Sequence, residues 1–142
     1  MANRNYDQLQ DLVLQQKLNW QGDNIRALLV EGAVFNATDK TLADLGVSVT
    51  PSRNVPIQGR FLDGRDAYGQ PALYDQVPED TTFQVVLVKD DGSGNPLLLA
   101  FIDVNEQGED LTMENSGTLI IRPSKAGTDP TKPPLTGVWL VF

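Results

Sequence analysis

The sequence predicts an α+β protein, mainly antiparallel β-sheet or sandwich, with an N-terminal helix packed on it and an extended Pro-rich C-terminal arm. Three observations lead there. Tyr6, Leu9, Leu12, Val13 and Gln16 recur at helical spacing. Two strand-like runs, Thr81–Lys89 and Leu97–Asp103, flank Asp90–Pro96, whose residues are those of a turn. Four prolines then fall within residues 123–136, ahead of the apolar Val138-Trp-Leu-Val-Phe142.

Taken in order, the helix is expected over about residues 5–18, with Asn5 as its cap, Asp7 in its first turn and Gly22 ending the run. Leu14 and Leu18 widen its apolar stripe, so one face should pack on something. Ile25–Val30 is short and apolar, which suits a largely buried strand, and Ala33–Phe35 extends it or forms a short partner. Asp39, then Lys40–Leu45, then Gly46 reads as an N-cap, a short helix and a glycine C-cap. Val47–Thr50 alternates as a strand does, and Val55–Phe61 does so in part. Pro51, Pro56 and Gly59 make these pieces edge-like or bulged. Asp63-Gly64 and Tyr68-Gly69 mark turns.

The strongest strand is Thr81–Lys89. With Leu97–Asp103 it makes a hairpin expected at the centre of a sheet covered on both faces, one of them by the helix. Residues 105–114 are polar and acidic, hence loop, and Gly117–Arg122 is another strand. The organisation expected is one domain over residues 1–122, followed by a Pro-rich arm and terminal strand over residues 123–142.

Composition excludes several functions. The chain of 142 residues has no cysteine and no histidine, so it cannot by itself build a disulfide framework, a thiol nucleophile, a cysteine–histidine zinc site or a serine–histidine triad. Its 19 acidic and 11 basic residues give a net charge of −8, which argues against binding nucleic acid. The longest apolar runs, Leu97–Ile102 and Val138–Phe142, fall far short of the about 20 residues that span a bilayer. The polar start, Met1–Asp7, lacks the apolar stretch of a signal peptide, so synthesis in a cytosol is expected. Without such a signal the sequon Asn36-Ala37-Thr38 reads as chance.

Asp90, Asp91, Asp103, Glu106, Glu109 and Asp110 gather around the hairpin and the loop after it. A calcium site or an acid/base pair is one reading, and a solvated turn is the other. The EF-hand pattern fails, because Pro96 stands where its glycine is needed and Ile102 where its distal glutamate is. No phosphate-binding loop and no nucleophile elbow occurs. Tyr68 and Tyr74, near Arg60, Arg65 and Asp66, mark either a binding face or ordinary packing. The tail is the most informative piece. A loose Val138–Phe142 would be a liability in water. Either the arm crosses its own domain and completes its own sheet, or it reaches a neighbouring subunit and adds a strand there.

One resemblance enters with particular residues. The succession Tyr6-Asp7, a helix, Asn19-Trp20, Asp23-Asn24-Ile25-Arg26-Ala27-Leu28-Leu29-Val30, Phe35 and Thr41-Leu42-Ala43-Asp44-Leu45 resembles a family of small virion proteins of tailed bacteriophages. So does Val88-Lys89-Asp90 followed by a turn and Pro96–Asp103. The likeness covers residues 6–45 and 84–122, and leaves the middle and the Pro-rich tail unmatched. It implies a structural particle component without catalytic residues, such as a capsid decoration or cement protein. Its partners would be the major capsid protein or other virion proteins, and it would act as a homo-oligomer. It would be made in the host cytoplasm, reside in the virion, and use no cofactor, nucleic acid or membrane. A neck, tail or fibre component is the alternative, and a carbohydrate-binding or hydrolytic module using Tyr68, Tyr74 and the acidic loops a further one. The interface residues expected are Pro133, Pro134, Trp139 and Phe142 in the C-terminal arm, with Asn3 and Arg4 as a second arm.

Overall fold

The computed structural model describes residues 2–105, 107–128, 130–133 and 135–142, with Ala2 and Asn3 described by backbone alone. Pro134 of the expected interface and Glu106 of the acidic group lie outside the described residues.

The architecture is mainly antiparallel β, as predicted. The largest sheet is built from β1 (Ala2–Asn5), β2 (Ile25–Val30), β3 (Asn54–Pro56), β7 (Thr82–Lys89) and β8 (Leu97–Val104), in the order β1-β8-β7-β2-β3. A short β9 (Leu111–Thr112) pairs with the start of β7. Two smaller sheets accompany it. One pairs β6 (Ala72–Val77) with β10 (Gly117–Ile121), and the other joins β4 (Phe61–Asp63), β5 (Asp66–Gly69) and β11 (Gly137–Val141) in the order β11-β5-β4.

The continuous apolar runs of β2, β7 and β8 arise because the large sheet is buried on both faces. Ile25, Ala27, Val85 and Leu87 point to the core shared with the smaller sheets, which also takes Tyr74, Trp139 and Leu140. Leu28, Val30, Val86 and Val88 point the other way, under Phe35, Leu42, Leu45, Val47 and Val49. A bulge in β8 reconciles its sequence with this parity. Leu87 faces Ala100 and Val88 faces Leu98, so Leu99 is the extra residue. Leu98 and Phe101 thereby join one core, and Leu99, Ala100 and Ile102 the other.

The first helix is shorter than its periodicity suggested. Helix α1 spans Gln8–Leu14, because residues 2–5 bond to the edge of β8 and Gln16 turns the chain at φ 57°. Asn5 is therefore a strand residue and not the cap, which is Asp7. Leu9 is buried, and Leu12 and Leu18 pack at the same core. Helix α2 spans Leu42–Leu45, capped by Thr41 where Asp39 was expected. The Asp44 carboxylate accepts from the N–H groups of Lys40 (2.9 Å) and Thr41 (3.1 Å), and Gly46 closes the helix in the left-handed conformation.

Two expectations in the middle fail. Val47–Thr50 forms no ladder, although Val47 and Val49 do face the core. Tyr68-Gly69 is no turn but the end of β5. Gly69 is required there: a Cβ would stand 2.6 Å from Ile57 Cγ2 and 3.0 Å from Trp139 Cδ1.

Of the two courses open to the C-terminal segment, this structure shows the intrachain one. β11 pairs antiparallel with β5, and the Trp139 indole is fully buried, donating to the Gln70 carbonyl at 2.9 Å. The boundary drawn at residue 122 thus does not set the tail apart from the body. The Pro-rich stretch is also not one extended leash. It folds back so that Ser124 and Val138 exchange both backbone hydrogen bonds, at 2.7 and 3.1 Å.

Candidate interaction surface

β1 is one edge of the large sheet and β11 one edge of the three-stranded sheet. The Asn5 side chain joins them, its Nδ2 donating to the Val141 carbonyl at 3.2 Å. The two segments predicted as separate arms therefore lie side by side. Beside this seam runs a groove of about 560 Å³, lined by Leu9, Val13 and Leu14 of α1 and by Val141 and Phe142, with Asp7 and Arg65 at its polar margin. Leu14 is 73% exposed and Val141 51%. The floor is fixed by reciprocal bonds: Phe142 N–H donates to the Arg65 carbonyl at 2.9 Å, and Arg65 Nε donates to the Phe142 carbonyl.

The predicted interface residues divide across this region. Phe142 is half-buried at the groove. Arg4 is exposed, but its guanidinium lies 4.6 Å from the Phe35 ring centre and pairs with Asp103. Pro133 is exposed, in the turn before β11, where its carbonyl accepts from Thr136 N–H. Trp139 is sealed in the core of its own chain in this arrangement. Asn3 contributes backbone to β1. Sequence reasoning missed Val13, Leu14, Arg65 and Val141. The signal was the apolar stripe of the helix, wider than the face that α1 buries.

Among the described residues, the acidic side chains do not converge. Asp90 and Asp91 accept from Gly92 N–H (2.9 Å) and Ser93 N–H (3.0 Å), each closing its own turn. Hydrogen bonds from Ser93 hold the Asp91 carboxyl below its ordinary range. Asp103 is taken by Arg4. Among the described residues, no group of three or more Asp, Glu, His or Cys side chains is placed to hold a metal ion.

The aromatic residues are likewise committed to packing. Tyr74 is buried, donates to the Ala27 carbonyl at 2.7 Å, and has its phenol pushed up by that burial. Tyr68 stacks on Phe61 at 4.9 Å, and Lys132 covers the pair while bonding Asp63 at 2.7 Å. Arg60 donates to the carbonyls of Trp20, Gln21, Asp23 and Ile57, so it fastens loops. Tyr74 and Arg60 thus leave the sugar-binding face that sequence alone kept open.

Fold and surface together define a mainly antiparallel β protein with a groove, lined in good part by apolar side chains, at the meeting of its two terminal strands. No protein-family model, no curated protein and no solved structure matches this chain. Among the described residues, no helix is long and apolar enough to cross a membrane.

Proposed function

We propose that the chain is a non-catalytic structural protein of a tailed-phage particle, a decoration or cement protein that holds capsid shell proteins together. The observation that carries this reading is the groove, where Leu14 and Val141 present apolar side chains to solvent beside two sheet edges. Carboxylates spent on turns and on an arginine fit a chain that binds neighbours and performs no chemistry. A net charge of −8 keeps a protein needed in many copies apart before assembly. Each groove is small, so its grip would come from repetition over a symmetric shell.

The test uses purified full-length chain mixed with empty capsid shells of the phage that encodes it. Sedimentation with the shells is expected, and L14E or V141E, both at exposed positions, should abolish it while leaving unfolding unchanged. A chain that stays in the supernatant defeats the decoration role. Immunogold labelling confined to the neck or tail would move the protein to those parts of the particle.

A further inference from the structure

Three unfavourable features meet in the turn that leads into β11. Lys125 (φ 60°) and Leu135 (φ 62°) hold left-handed backbone conformations that a Cβ disfavours. The Thr136 hydroxyl is buried without a hydrogen-bond partner among the described residues. Leu135 is 55% exposed, so burial of its own side chain does not offset its backbone. All three belong to the closed turn. None belongs to β11, whose contacts are made with the middle of the sequence: the ladder to β5, the indole packed against Gly69, and the bond from Trp139 to Gln70.

Those contacts are the same whichever copy of the chain supplies the strand. The bonds between Ser124 and Val138 are also kept, because Ser124 precedes the turn. What changes on opening is the stretch between them: it gives up the bonds of the closed turn, such as Gly127 N–H to the Thr136 carbonyl and Lys132 to Asp63, against release of the strain and the preference of Pro130 and Pro133 for extended backbone. Extended, residues 125–136 reach about 40 Å, roughly the width of a domain of this length.

We propose that residues 137–142 exchange between two copies of this chain, β11 of each copy seating beside β5 of the other, with the segment between Ser124 and Gly137 as the hinge. The strained closed turn drives the exchange, and retained strand contacts make it inexpensive. It requires only a second copy, so it stands whether or not the groove binds capsid shells.

Asp66 and Val141 are cross-strand partners in the β5–β11 ladder, and the chain has no cysteine of its own. Full-length D66C and V141C chains are mixed in denaturant, refolded together at high concentration and oxidised. Peptide mass analysis should find a disulfide joining position 66 of one chain to position 141 of the other, in a species with the mass of a dimer. Unexchanged chains hold these positions on separate bodies, so absence of that link overturns the proposal. In the same assay L135G relieves the backbone and T136V removes the unpaired hydroxyl, and each should raise the dimer dissociation constant about fivefold. A link whose yield neither variant lowers overturns the strained hinge as its cause.

Discussion

The β7–β8 hairpin and the β5–β11 pair do the same work by opposite routes. Both are antiparallel and both deliver side chains to the buried core. The hairpin is closed by a turn whose residues suit it: Gly92 and Gly94 take the positive φ values, and Asp90 and Asp91 satisfy the N–H groups of Gly92 and Ser93. The β5–β11 pair joins distant stretches, its bond from Trp139 to Gln70 alone spanning 69 positions in sequence, and the turn before β11 puts a lysine and a leucine where glycine would sit at ease. One pair is stabilised locally and globally at once. The other is held by its tertiary contacts against the preference of its own connection.

That contrast can be broken at four points. The largest effect is expected from Trp139→Ala, which should destabilise the chain by about 3–5 kcal/mol in denaturant unfolding. It empties the core and leaves the Gln70 carbonyl without its donor. Leu99→Ala, in the bulge of β8, is the matching cut in the hairpin, expected at about 2–5 kcal/mol. A much smaller loss for Trp139→Ala than for Leu99→Ala would mean that β11 adds little to the folded state.

Gly69→Ala should come next, at about 1–3 kcal/mol, because the new Cβ must displace Ile57 Cγ2 and the indole edge. Thermal unfolding checks it, and an unchanged midpoint would show that the indole slot is loose.

The smallest effect belongs to the hairpin turn. The Asp91 carboxyl titrates lower in the folded chain than in the unfolded one, so it adds stability above its unfolded pKa and loses that stability as pH falls through the folded value. Asp91→Asn should therefore make the acid-side decline in stability slightly shallower and leave neutral pH almost unaffected. A large loss at neutral pH would show that the turn governs the hairpin more than its ladder does.

The same division separates what was legible from what was not. Ile25–Val30 was readable as a buried strand because its residues are apolar whichever face they occupy. Gly46 was readable as a helix end because few other residues tolerate that backbone. Residues 2–5 carry no comparable mark. Their strand exists because the edge of β8 lies beside them, and it shortened a helix that spacing alone would start at Asn5. Val47 and Val49 alternate correctly but found no ladder partner, so their pattern recorded a buried face and not a hydrogen-bonding state. The groove was legible only as a helical stripe too wide for its core, since its other wall comes from the opposite end of the sequence.

By itself, then, the sequence determined the antiparallel β class, the central hairpin and the lack of histidine and cysteine chemistry, all of which follow from residue type and short-range spacing. Tertiary structure alone decided that β1 and β11 lie together, that Trp139 is sealed inside and that the carboxylates among the described residues do not converge. The physical reason is that these outcomes depend on which distant backbone edge a strand meets, and neither periodicity nor composition encodes that encounter.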